Sequence, residues 1–227
     1  MKKIILAIVI LVVVIFGAYQ YLTRPALLPS KDINEVVPKL DLNKGGETPA
    51  ASPKIYKIDQ NKSKAEFGIN EVLRGSQFVA RGTTNQVGGD ILISNGQLNF
   101  SEIKINARTF KTDDAKRDGA INRMILKTDN PDNEFVTFVP DMMDGVGYKI
   151  TGSEFDLDVK GSLTISGVTR AVVAPLHVII NGDVITGSTQ FRIKRSDFDL
   201  KIPNLSFIAS VDDEFPVYLD FVATLVK

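Results

Sequence analysis

Residues 172–194 read VVAPLHVII, NGD, VITGSTQFRIK. Two runs rich in β-branched and apolar residues, 172–180 and 184–194, flank Asn181-Gly182. An Asn-Gly pair between such runs is the strongest short hairpin signal, because both residues tolerate the left-handed backbone that a tight turn between twisted strands requires. The first run is apolar at both parities, so the sequence predicts a strand with both faces covered, or with lipid-like contacts on one.

Working outward, Asn95-Gly96 repeats the hairpin signal between 90–94 and 97–107. Ala65, Phe67 and Ile69 alternate with Glu66, Gly68 and Asn70, the period of two that suits a strand with one buried face. Val217, Leu219, Phe221, Ala223 and Leu225 repeat it near the C-terminus. Further strands are expected over 78–87, 135–140, 148–159 and 160–165. Many short strands at this spacing predict an antiparallel all-β sandwich or barrel rather than a βαβ fold. One stretch departs from the pattern. Thr112-Asp113-Asp114 offers helix-capping oxygens, and Ala115, Ile121, Met124 and Ile125 follow at helical spacings, so a helix or helical loop is expected over 113–126 although Gly119 interrupts it.

Composition removes several functions. With no Cys and one His among 227 residues, thiolate metal centres, disulfides, Cys nucleophiles and multi-His metal sites are excluded. No metal site and no cofactor are expected. Lys plus Arg and Asp plus Glu both number 27, which argues against a nucleic-acid partner, because such proteins need a basic face. The acidic clusters at 113–114, 197/199 and 212–214 lack the 12-residue calcium loop and read as solvated turns.

Lys2 and Lys3 precede an apolar run over 4–22, roughly 28 Å of helix at ~1.5 Å per residue and close to the ~30 Å hydrocarbon thickness. This reads as a single-pass membrane anchor over 1–22, with Tyr19 and Tyr21 as an interfacial aromatic belt. A cleaved signal peptide is the competing reading, but an A-x-A-like site is missing. The basic N-terminus stays cytoplasmic by the positive-inside rule, which sends the remainder to the periplasmic or extracellular side of the cell membrane. Residues 23–53 hold five of the ten prolines and Gly45-Gly46, and read as a flexible linker before a folded domain over 54–227.

Within that domain an ordered set of motifs appears. Ile58-Asp59, Ser63 and Phe67 come first, followed by Phe110-Lys111-Thr112, Lys116-Arg117-Asp118, and then Pro131, Phe135 and Phe138. The most specific piece is KGSLTISGVTR at 160–170, and Arg195-Ser196-Asp197-Phe198 and Val211-Asp212-Asp213-Glu214-Phe215 complete the order. In this order the chain resembles the YceI-like family of lipid- or polyisoprenoid-binding proteins over 55–227. The resemblance implies an antiparallel eight-stranded lipocalin-like barrel around an elongated apolar cavity, with the helix beside its mouth. It also shows a departure. Where family members often carry His, this chain has Ala120, Ser166 and the neighbourhood of Asn70-Glu71, so a head group held by imidazoles in relatives needs other partners here.

The cavity residues expected from this reading are Phe67, Ile69, Phe78, Ile103, Ile105, Ile125, Phe135, Phe138, Leu163, Leu176, Phe191 and Phe221. Each is equally readable as ordinary core. Arg117 and Asp118 are the head-group candidates, since a guanidinium suits bidentate contact to phosphate or quinone oxygens and Asp118 positions it; a structural ion pair is the competing role. His177 reads as a core or rim residue without catalytic role. The function expected is non-enzymatic: a membrane-tethered carrier or sink for an amphiphilic isoprenoid lipid of polyprenyl or quinone type. The alternative is an envelope protein-interaction or stress-response module whose barrel is structural. An isomerase or hydrolase using cavity carboxylates is a third, weaker reading.

Overall fold

The computed structural model describes residues 10, 12–20, 30–37, 53–73, 75–141, 147–203 and 208–226. Among the described residues fourteen strands join one sheet, with antiparallel pairing throughout. They are β1 (Lys54–Ile58), β2 (Lys64–Leu73), β3 (Ser76–Thr84), β4 (Val87–Gly88), β5 (Asp90–Ser94), β6 (Gln97–Phe100) and β7 (Ile103–Asn106). There follow β8 (Phe135–Pro140), β9 (Tyr148–Lys149), β10 (Glu154–Ile165), β11 (Val168–Asn181), β12 (Val184–Lys194), β13 (Ile208–Val211) and β14 (Glu214–Leu225).

Strand β14 is the spine. It pairs with β12 over 214–224 on one side, while the other side pairs with β2 at Val217–Asp220 and with β1 at 223–225. From β12 the sheet continues through β11, β10, β8 and β7 to β4. On the other flank β2 leads to β3, and an isolated bridge ties Thr83 to Lys111, just beyond β7. The result is an all-β antiparallel sheet curled into a half-barrel with few helices. The count of eight strands is therefore corrected to fourteen, and the reason is local. A 3-10 turn over Gln60–Lys62 separates β1 from β2, Asn85-Gln86 interrupts β3 and β4, and Ser101-Glu102 splits the run expected over 97–107.

Period-two alternation decides what the concave side holds. On β11, Ala174, Leu176 and Val178 are buried while Val173 and Ile179 are exposed, so only one face of that apolar run is covered. Buried residues form two clusters, one around Tyr56, Ile58, Leu98 and Phe221, the other around Leu126, Leu163, Phe198 and Phe215.

The helical insertion is shorter and less regular than expected. Helix α2 (Ala115–Ala120) starts at Asp114, whose side chain accepts from Lys116 N at 2.7 Å, and it runs on as a π-helical turn over Ile121–Ile125. A four-residue helix α1 (Ile33–Val36) precedes it in the chain.

Two findings bear on the N-terminal region. Residues 12–20 are helical, but the expected span over 4–22 falls partly outside the described residues, and among those described no helix is long and apolar enough to cross a membrane. Part of the expected linker is docked. Ile33 is fully buried, Ser30 Oγ and Lys31 N donate to Glu134 Oε1 at 3.0 and 2.8 Å, and Asn106 Nδ2 donates to Ser30 Oγ. The buried Ile side chain and the hydrogen bonds to Glu134 together offset the ordering of this short segment, a long-range docking that composition alone did not reveal.

Candidate functional site

The curled sheet encloses a cavity of about 650 Å³, within the ~300–1,000 Å³ usual for ligand sites. Ten of the twelve expected cavity residues line it: Phe67, Ile69, Ile103, Ile105, Ile125, Phe138, Leu163, Leu176, Phe191 and Phe221. Phe135 and Phe78 do not. Val136, Phe138 and Pro140 of β8 face the cavity, so Phe135 stands on the opposite face, with Lys104 Nζ 5.7 Å from its ring centre. Phe78 shares the parity of the cavity residue Ala80 but lies nearer the β2–β3 tip. There it is 40% exposed beneath the guanidinium of Arg117, at 5.3 Å.

The lumen stays open because large rings find glycines across the sheet. Gly82 pairs with Phe67 and Gly187 with Phe221, and a Cβ on either glycine would come within 2.3 or 2.2 Å of the ring. Each ring lies over the gap its partner leaves instead of filling the space beyond.

At the mouth, Arg117 lines the cavity, but its charge is already met. It pairs with Glu71 at 3.2 Å and with Asp113, and its side chain is 17% exposed. Asp118 does not hold Arg117 and is absent from the cavity wall, which corrects the expectation for that residue. It is buried and accepts from Thr112 N at 2.7 Å and Thr112 Oγ1 at 2.8 Å, fixing the entry to α2.

Several lining residues escaped the sequence reading. Phe215, Val217 and Leu219 share the inward parity of Phe221 on β14, and that alternation was the signal that would have found them. Lys116, Ala120, Ile121 and Met124 come from the α2–π segment, whereas Tyr19 and Arg195 reach the site through tertiary placement that no local pattern announces. His177 sits on the outer side, its ring nitrogens 2.8 Å from Asp156 and 3.4 Å from Glu154. Asp213 is a turn clamp. Hydrogen bonds from the Ser196 hydroxyl and backbone N–H hold its carboxyl below the ordinary carboxylate value. Among the described residues no group of three or more metal-ligating side chains is placed to hold an ion.

The family model for the YceI-like domain matches residues 56–223, which span nearly all of the sheet. The chain belongs to the YceI-like family. Its structural neighbours agree in fold. BcnA of Burkholderia cenocepacia superimposes with a TM-score of 0.58 at 22% identity, covering 74% of this chain and 99% of that one. A polyisoprenoid-binding domain from Saccharophagus degradans, implicated in plant cell wall breakdown, gives a TM-score of 0.57 at 19% identity, covering 75% and 98%. Among curated proteins none matches this chain. The apolar lumen is where this YceI-like chain offers room for a guest.

Proposed function

We propose that this YceI-like chain binds an amphiphilic isoprenoid lipid, of polyprenyl or quinone type, in the half-barrel cavity, and carries or sequesters it as a binding protein rather than an enzyme. The observation that carries the reading is the open lumen of about 650 Å³ walled by side chains such as Ile69, Phe138, Leu176 and Phe221. Each methylene moved from water into such a site contributes ~0.8 kcal/mol, so a long chain binds without specific polar contacts. The neighbour described as polyisoprenoid-binding supports this class of guest. Glu71 and Asp113 already neutralise Arg117, which favours a head group without full charge over a phosphate. In this reading the apolar run over 4–22 tethers the domain to the cell membrane, with the cavity on the periplasmic or extracellular side.

The test is to purify the full chain from membranes and identify co-purifying lipids by extraction and native mass spectrometry. A stoichiometric isoprenoid supports the proposal. A protein that arrives empty and takes up neither polyprenol nor quinone on incubation overturns it.

A further inference from the structure

The cavity has a definite orientation relative to the apolar N-terminal helix. Residues 12–20 form a helical segment whose Val12, Val13, Val14, Ile15 and Phe16 are each more than half exposed, an apolar surface that runs right round the helix. At its end Tyr19 joins the wall of the cavity, and Lys116 Nζ stands 5.1 Å from the centre of its ring. Lys116 belongs to α2, the helix at the mouth. The β2–β3 tip beside Arg117 adds two more exposed apolar side chains, Phe78 and Val79.

A second, independent contact restricts the geometry. The chain is clamped again at Ser30 and Ile33, so ten residue steps separate Gln20 from the clamp. Fully extended, they reach about 35 Å at ~3.3–3.6 Å per residue, against roughly 115 Å had the chain been free to residue 53. A tyrosine at the end of an apolar helix settles at the headgroup level of a bilayer, where its ring is buried and its hydroxyl is wet.

We infer that the mouth of the cavity, ringed by Tyr19, Lys116 and the rim residue Phe78, docks on the lipid bilayer that holds the N-terminal helix. A guest then passes between bilayer and lumen without crossing water. This rests on the tethering stated under the proposed function and adds to it the direction in which the cavity opens. Avoiding the aqueous step matters chemically, because each methylene exposed to water forfeits what its burial returned.

The chain has no Cys, so a single introduced thiol carries the only label. Full-length Phe78→Cys, at the rim of the mouth, and Asn181→Cys, at the exposed β11–β12 turn, are labelled with a fluorophore. Each is reconstituted into phosphatidylcholine vesicles that contain a headgroup spin-labelled quencher lipid. Flotation is measured first. The expected result is that both variants float, the label at 78 loses its fluorescence and the label at 181 keeps it. Equal quenching, or stronger quenching at 181, overturns the orientation while leaving the tether intact. Failure to float overturns the tether and the orientation with it.

Discussion

Gly187 and Phe221 stand opposite each other on β12 and β14, and a Cβ added to the glycine would fall 2.2 Å from the Cζ of the ring. The pair explains why a barrel rich in phenylalanine does not fill itself. The ring occupies the space over the glycine, and Phe67 does the same over Gly82 on the neighbouring flank.

Gly187→Ala therefore drives the Phe221 ring off its partner strand and into the lumen. The fold survives an overpacking cost of about 1–3 kcal/mol. Guest binding falls about ten- to thirty-fold, the equivalent of two or so methylenes excluded at ~0.8 kcal/mol each. Titration with a polyprenol or quinone, alongside circular dichroism to confirm folding, reads both effects. Unchanged affinity in a folded variant would place the guest away from Phe221.

The Arg117–Glu71 pair at the mouth leads to a second expectation. A guanidinium free to bind a charged acceptor adds about 1.5–3 kcal/mol, or more than tenfold in affinity. Already paired with two carboxylates, Arg117 adds less, so a polyprenol and its phosphate should bind within about tenfold of each other. Glu71→Gln removes one partner and raises phosphate binding selectively. Competition between the two lipids on both proteins measures the ratio.

Much of this architecture was legible because it is written locally. The expected runs over 90–94, 135–140 and 184–194 are β5, β8 and β12 to the residue, and the two Asn-Gly turns place Gly96 and Gly182 at positive φ. Ten of twelve cavity residues followed from parity and family motif. The misses share a physical cause. Phe135 and Phe138 are an odd number of positions apart on one strand, so they cannot face the same side, and Phe78 has the right parity but lies at the rim. The glycine slots, the Arg117–Glu71 pair and the docked Ile33 are tertiary pairings, and nothing in the neighbouring sequence encodes a partner so far along the chain.

The docked segment predicts a stability effect far from the cavity. Glu134 and Arg108 pair at 3.2 Å with side chains 1% and 3% exposed, and Ser30 and Lys31 complete the ligation of Glu134 Oε1. Glu134→Ala leaves a buried guanidinium without its carboxylate and costs about 3–5 kcal/mol. Ile33→Ala costs about 2–5 kcal/mol if its pocket against Gly88 does not collapse. Urea unfolding of the full chain measures both, and an Ile33→Ala variant as stable as the parent would show that the segment does not hold the fold.

The alkaline limb of stability should belong largely to Tyr56. Its side chain is buried and its hydroxyl donates to Gly182 O at 3.1 Å. Burial first, and the nearby Asp183 carboxylate second, push its phenol above the ordinary 10.0. Tyr148 shifts in the same direction, through burial and Asp141, partly offset by a backbone hydrogen bond at Lys160. A phenol raised in the fold is deprotonated more readily when unfolded, so its contribution is complete below the unfolded value near 10.0 and is lost as pH rises through the folded one. Asp213 works in the opposite sense: its lowered carboxyl supports the fold above the ordinary 3.8 and ceases to do so as pH falls through the folded value. Tyr56→Phe keeps the ring and removes the titrating group. It should cost about 1 kcal/mol at neutral pH for the lost hydrogen bond and flatten the decline above 10. Denaturant midpoints measured across that range for both proteins decide it, and an equally steep decline in Tyr56→Phe would move the effect to another group.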